Sequence, residues 1–330
     1  MANLRDLAAE AKVSIRTVNR VLKGDGYVHE KTRGVVERAV EKLGYRPNLA
    51  ARALKTAKSH FISVLSFTED ELRMAQLAAL EQRLRQSDYL ISMTFHFESR
   101  EKAKAARIVQ ELIDQNPAGL VLLGHDPFVA RHVLPALMPA VVHSGLPYVL
   151  IDPRGTHHDA VTIDRARGVY EAVHYLAQRG ARQIAFLGTQ EERTRLDGYD
   201  QALQELGRSP IYVEYPGTEI DALRAVGRRF ALLKNRPDAV VAHSDYIALA
   251  FLSGLHDAGV KVPEEVALIG FDDRLAARFA WPALTTIAQP SQEIGRAGAD
   301  IILKKIAGEA PPTSGWSQSF PTKLVLRETA

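Results

Sequence analysis

The chain contains no cysteine. Disulfides, thiolate nucleophiles and cysteine-ligated metal sites are therefore excluded. No apolar run approaches the ~18 residues that a membrane-spanning helix needs. The N-terminus has no basic segment leading into an apolar one. There is no Walker-type loop, no Gly-x-Ser-x-Gly elbow and no metalloprotease helix. Nothing therefore argues for catalysis, and no catalytic residue, metal ligand or cofactor is assigned. These absences lead to the expectation of a cytoplasmic protein with no membrane partner.

What is present is ordinary in bulk and uneven in placement. The 330 residues are enough for two or three domains, and 46% hydrophobic with 25% charged residues suits a soluble globular protein. Net charge is +3, but residues 1–58 carry 13 Lys+Arg against 6 Asp+Glu, a local charge of +7 that leaves −4 on the remainder. A small basic unit beside a larger acidic one is the footprint of phosphate binding by the former.

Within that basic unit, Ser14 is placed to cap a short helix, and Val18, Val21 and Leu22 recur at helical spacing as its buried stripe. Ile15, Arg16, Asn19 and Arg20 fall on the open face. Arginine can bond guanine through two parallel hydrogen bonds, so this face suits the DNA major groove. Leu4, Leu7, Ala8 and Ala11 form a preceding amphipathic helix, and Lys12-Val13 is a tight connection between the two, as in a helix-turn-helix. A third helix is expected from about Thr32 to Leu43, stopped by Gly44. Pro47 then blocks continuation and Asn48 can cap a further helix of about two turns. Such a short helix is marginal alone and needs a second copy of itself or DNA.

These residues carry a specific resemblance. Ala8, Val13-Ser14, Thr17-Val18, Arg20-Val21-Leu22, Val28, Lys31-Thr32-Arg33, Leu43-Gly44-Tyr45, Pro47-Asn48 and Ala51-Arg52-Ala53-Leu54 resemble the DNA-binding headpiece of the lactose and purine repressor family. The resemblance implies that Ile15, Arg16 and Arg20 read base edges. It implies that Leu54, with Lys55 beside it, wedges into the minor groove at the operator centre, unstacking a base step and kinking the duplex. It places Ser14, Thr17, Asn19, Tyr45, Asn48 and Ala51 at the DNA backbone or in the hinge. Asn19 stands where the family commonly has Ser, and His29 where it has a small capping residue.

From Phe61 onward, strand-like apolar runs alternate with amphipathic helices, among them Phe61–Leu65, Ala118–Leu123, Gln183–Leu187, Ala239–Ala242 and Val266–Phe271 as strands. Alternation of this kind means parallel sheets covered by helices on both faces. A helical stretch around Val129 to Val142 is expected to be interrupted by Pro135 and Pro139, and the segment around Lys323–Leu326 to be extended. The resemblance continues through Pro147–Asp152, Val161–Asp164, Arg195–Tyr199, Gly270–Asp273 and Pro282–Ile287. It implies a body like that of periplasmic sugar-binding proteins, in which two lobes close on a small ligand. The expected fold is thus an N-terminal all-α helix-turn-helix headpiece with a hinge helix, followed by an α/β body of two doubly wound parallel-sheet lobes. Residues 1–59 form the headpiece, with the hinge at about 48–55. The body spans 60–330, with one lobe at about 60–161 plus 290–320 and the other at about 162–289 plus 321–330.

Ligands of open α/β sheets sit beyond the C-terminal strand ends. Arg195, Ser244-Asp245 and Asp272 follow three such strands and could bond a polar or anionic effector. Each could instead cap a helix. By resemblance, Arg195 and Asp272 are effector contacts, with Asp245 and Ser244 contributing. Thr68 to Met74 departs from the turn that lines the family's pocket. His125-Asp126 follows a strand and could reach the cleft, as could Asp152 and Arg154, but all read first as loop residues, and Trp281 reads as packing between lobes. The adjacent pair His157-His158 would point to opposite sides of an extended chain, so it reads as a solvated loop and not a metal cluster. The functional expectation is a transcription regulator, a repressor acting as a homodimer on palindromic double-stranded operator DNA, with a sugar or related metabolite as effector. A solute-binding protein, or a sugar- or nucleoside-processing enzyme on the same body, is the alternative. Both leave residues 1–55 unexplained.

Overall fold

The computed structural model describes residues 2–23, 27–45, 59–95, 102–124, 133–153, 158–189, 193–217, 219–312 and 315–330. Two compact units are present, Met1–His60 and Phe61–Ala330.

The first unit is helical, with α1 (Leu4–Glu10), α2 (Ile15–Lys23) and α3 (Glu30–Leu43). Asn3 starts α1 by accepting from the Arg5 and Asp6 amides, while the Asp6 carboxylate takes the Asn3 amide. Lys12 adopts a left-handed φ of 52° in the turn. Ser14 Oγ then accepts from the Thr17 amide at 3.1 Å and caps α2. Leu7, Ala11, Val18, Val21, Val36 and Ala39 close the core, flanked by Leu4, Val13, Leu22, Val35 and Leu43. The third helix begins two residues before the expected Thr32 because His29 Nδ1 accepts from the Lys31 amide at 3.3 Å. It ends at Gly44, whose φ of 56° carries no side-chain penalty. The expected hinge, with Asn48, Ala51, Leu54 and Lys55, lies outside the described residues, as do His125, Asp126, Arg154 and His157.

Among the described residues, the second unit holds two six-stranded sheets. The chain runs β1 (Phe61–Ser66), α4 (Glu71–Arg85), β2 (Leu90–Phe95), α5 (Lys102–Asp114), β3 (Leu120–Leu123), α6 (Leu134–His143), β4 (Tyr148–Ile151) and β5 (Ala160–Asp164). It continues through α7 (Arg165–Gln178), β6 (Ile184–Leu187), α8 (Arg193–Glu205), β7 (Ile211–Val213), α9 (Ile220–Ala231), β8 (Ala239–Ala242), α10 (Asp245–Asp257) and β9 (Ala267–Asp272). Then follow α11 (Leu275–Phe279), β10 (Thr285–Ala288), α12 (Ser291–Ile306), β11 (Gln318–Pro321) and β12 (Lys323–Val325). The first sheet has the order β11-β5-β4-β3-β1-β2 and the second β12-β10-β9-β8-β6-β7. The chain passes between them three times, after β5, after β10 and between β11 and β12.

Each sheet is buried on both faces. Leu80 and Leu84 of α4 and Ile294, Ile301 and Ile302 of α12 cover one face of the first sheet, and α5 and α6 cover the other. In the second sheet, α9 and α10 pack on one face and α7 and α8 on the other. Strands β3, β6 and β8 are buried along their whole length, which is why they read as unbroken apolar runs. Two glycines allow close approach. A Cβ at Gly295 of α12 would lie 2.2 Å from the Gln76 carbonyl of α4, and one at Gly168 of α7 would lie 2.1 Å from Thr322 Oγ1 in the third crossing.

Three expectations are corrected. Helix α6 runs unbroken through Pro139, with Pro135 in its first turn, where no amide partner is needed. Leu134, Leu137, Met138 and Val141 bury its apolar face and offset the one bond that Pro139 forfeits. Strand β12 pairs antiparallel with β10, against parallel pairing elsewhere in both sheets. Trp281 is 89% exposed on the turn after α11 and does not pack between lobes.

Candidate functional site

In the helical unit, the stripe of Val18 and Val21 faces the core and leaves the opposite face of α2 to solvent. Ile15 is 42% exposed, and Arg16 and Arg20 are exposed beside it. Asn19 and Thr17 are half-buried, and Thr17 Oγ1 lies 2.9 Å from Ser14 Oγ. Among the described residues, neither arginine has a carboxylate within ion-pair distance; the ion pair of this unit joins Lys42 to Glu10. Two free guanidiniums and an apolar side chain on one helix face present the donors and methyl contact that base edges accept. Tyr45 packs against the unit's core.

In the α/β unit the polar site gathers at the C-terminal ends of the strands of both sheets, where the passages between them occur. Asp152 follows β4, Arg165 opens α7 after β5, Asp272 ends β9, and Gln289 follows β10. Arg73 sits in the first turn of α4 after β1 and is fully buried, as is Asp152. Asp152 Oδ2 accepts from Arg73 Nη2 at 2.7 Å and from Arg165 Nη2 at 2.6 Å. Arg165 Nη2 also reaches Gln289 Oε1 at 3.4 Å, and Gln289 Nε2 donates to Asp272 Oδ1. Asp272 in turn accepts from Arg274 Nε at 3.0 Å and lies 3.7 Å from Arg195 Nη2. One continuous polar chain thus links the two lobes. A further lobe-to-lobe bond runs from the Leu275 amide, at the start of α11, to Glu71 Oε1 at 3.0 Å.

Arg195 is 1% exposed, stacks on Phe271 with its guanidinium carbon 4.3 Å from the ring centre, and donates to His243 Nε2 at 3.0 Å. Guanidinium only donates, so His243 accepts there and is neutral. Asp245 is fully buried at the start of α10. It accepts from the Arg274 amide at 2.7 Å through Oδ2 and from the Thr286 hydroxyl through Oδ1. Burial pushes its pKa up to about 7 despite those two donors. Ser244 caps α10 by accepting from the Ile247 amide at 3.4 Å. The backbone is strained at this rim, with φ of 55° at Asp152, 122° at Asp272 and 55° at Asp273. Left-handed φ at non-glycine residues clusters at ligand sites.

The arrangement brings together Arg195, Asp245 and Asp272, which sequence reasoning singled out. It adds Arg73, Gln76, Arg165, Arg274 and Gln289, which that reasoning missed, and it places Asp152, read as a loop residue, at the centre of the network. The signals available were the polar turn Thr68 to Met74 and the position of Arg165 just past a strand. His158 and Asp159 are held by Tyr148 and Lys305 respectively.

Residues 3–48 match the model of bacterial regulatory proteins of the lacI family, and residues 173–330 that of a periplasmic binding protein-like domain. The chain is 32% identical over 339 residues to the transcriptional repressor CytR of Escherichia coli K12, covering 99% of this chain and 95% of that protein. The chain belongs to the lacI family. Among solved structures, the Lac repressor dimer bound to operator and the anti-inducer ONPF aligns with a TM-score of 0.83 at 26% identity, over 99% of this chain and 98% of that one. The regulator CelR in complex with cellobiose aligns with a TM-score of 0.69 at 27% identity, over the whole of both chains. This lacI-family chain is a DNA-binding transcription regulator and not an enzyme. No helix among its described residues is long and apolar enough to cross a membrane.

Proposed function

We propose that this regulator is a repressor that grips a palindromic operator as a homodimer and is controlled by a small metabolite held between the two lobes. The observation that carries the reading is the buried polar chain from Arg73 through Asp152, Arg165, Gln289 and Asp272 to Arg195, which spans both lobes at the strand ends. Arg195 and Asp272 contact the effector. Asp245 and Ser244 stand behind them, Asp245 through Arg274 and Ser244 through the start of α10. Ile15, Arg16 and Arg20 read base edges in the major groove. Ser14, Thr17, Asn19 and Tyr45 fix α2 against the phosphate backbone. Asn48 and Ala51 belong to a hinge from which Leu54 and Lys55 enter the minor groove. The Lac repressor dimer on its operator and the CelR complex with cellobiose support this division of labour by similarity.

The second copy covers the outer face of α10 and α11. Tyr246, Leu275, Phe279 and Trp281 are 55%, 53%, 78% and 89% exposed there. Apolar surface of that kind on a soluble protein marks a partner. The effector acts by population shift. It binds two arrangements of the lobes with different affinity, and the difference sets how much operator affinity changes. Either sign of coupling, induction or co-repression, fits this scheme. A cytoplasmic setting follows from the role.

Selection of binding sites from random duplexes by the full-length chain tests the reading. An enriched inverted repeat is expected, bound by two chains per duplex. Enrichment of a single asymmetric half-site bound by one chain would overturn the dimeric reading.

A further inference from the structure

Several buried donors at the cleft meet no acceptor. Arg73 donates through Nη1 to Gln76 Oε1 and through Nη2 to Asp152, yet its Nε, fully buried, meets no acceptor. Gln76, also fully buried, spends its oxygen on Arg73 and leaves Nε2 unmet. Arg274, 8% exposed, leaves Nη1 unmet. Ser291, 7% exposed at the first position of α12, has an unmet hydroxyl, and Pro290 before it gives that helix no side-chain cap. The carboxylates of the network already accept from other donors. One oxygen of Asp152 serves two guanidiniums, and Asp272 serves Gln289 and Arg274 with its two oxygens. Both oxygens of Asp245 are taken inside its own lobe. Asp70, whose charge reaches Arg274, caps α4 through the Leu72 and Arg73 amides.

A guanidinium keeps its charge and cannot accept, so an unmet N–H on it is satisfied only by an added acceptor. A neutral sugar brings a donor with every hydroxyl, and each such donor would itself need an acceptor in the cleft. A carboxylate or phosphate brings acceptors alone, and guanidinium matches its geometry. Asp152 already occupies such a position, one carboxylate oxygen held between Arg73 and Arg165.

We infer that the effector is an anion, a small metabolite whose carboxylate or phosphate group docks against Arg73 and Gln76, with Asp152 as the internal carboxylate it competes with. This rests on the reading of the cleft as the effector site and adds the ligand's chemical class. Arg73 and Gln76 are then the residues that set specificity for charge.

The test is isothermal titration of the full-length chain with matched probes: glucose, gluconate and glucose 6-phosphate; ribose and ribose 5-phosphate; adenosine and its 5′-monophosphate; and inorganic phosphate. At least one anionic probe should bind tenfold or more tightly than its neutral partner, and which one distinguishes carboxylate from phosphate. Gln76→Met, which removes a donor without removing charge, should weaken that anion severalfold and leave the neutral partner unchanged. Arg73→Met should erase the preference. Should Arg73→Met fail to fold, Gln76→Met alone decides. Neutral probes that bind as well as or better than their anionic partners, lost on Arg195→Ala, would overturn the anion and keep the cleft. A whole panel without heat would overturn both.

Discussion

The chain uses arginine in two opposite ways. On α2, Arg16 and Arg20 are exposed and have no carboxylate partner among the described residues. In the cleft, Arg73, Arg165, Arg195 and Arg274 are at most 8% exposed, each bonded to or within ion-pair distance of a carboxylate. An exposed guanidinium remains available to a polyanion, and its affinity falls with salt. A buried one must be compensated, as each of these is by a neighbouring carboxylate. The lesson is that the partner is written in burial as much as in residue type.

The comparison can be broken most forcefully at Asp152. Asp152→Ala leaves Arg73 and Arg165 buried without their shared carboxylate and should cost about 3–5 kcal/mol of body stability by urea unfolding. A loss under about 1 kcal/mol would mean that the cleft is wetter than its burial implies. Next comes Asp245, whose carboxyl is pushed up by burial from its ordinary 3.8 to about 7. The folded body therefore holds a proton that the unfolded chain has released. Stability should fall as pH rises from about 4 to about 7 and level off beyond, by a few kcal/mol at most. Asp245→Asn, which mimics the protonated acid, should flatten that slope between about pH 4 and about pH 7; an unchanged slope would assign it to other groups.

The exposed arginines should respond elsewhere. Arg16→Ala or Arg20→Ala should cost roughly 1–3 kcal/mol for the selected site and relax one base preference, with body stability unchanged. Unaltered preference in a repeat selection would remove them from the reading face. The smallest effect is expected at His29. His29→Ala removes the cap of α3 and should cost about 0.5–2 kcal/mol of headpiece stability by thermal unfolding, with ligand binding in the cleft untouched.

How far each region was legible follows from how local its determinants are. Ser14, Val18, Val21 and the open face of α2 lie within one short stretch, so their spacing alone assigns them. Asp245 and Asp272 were found because each closes or follows a strand, and Arg195 because it opens a helix after one. Arg73, Arg165 and Gln289 come from elements up to 216 residues apart, and nothing local marks an arginine as buried when most are exposed. Asp152 follows a strand and reads first as a loop residue for the same reason, since its partner Arg73 lies 79 residues away. The five-residue α11 is too short to show a period, and the exposed Trp281 after it carries an apolar signal that usually means interior.

Measuring the dissociation constant for the selected duplex across a salt series, with the full-length chain and with Arg16→Ala and Asp272→Asn, tests the division most directly. The account predicts steeply salt-dependent binding, weakened roughly tenfold or more by Arg16→Ala and left within about twofold by Asp272→Asn. A chain that selects no duplex at low salt, or an Asp272→Asn variant that loses DNA as badly as Arg16→Ala, would contradict it.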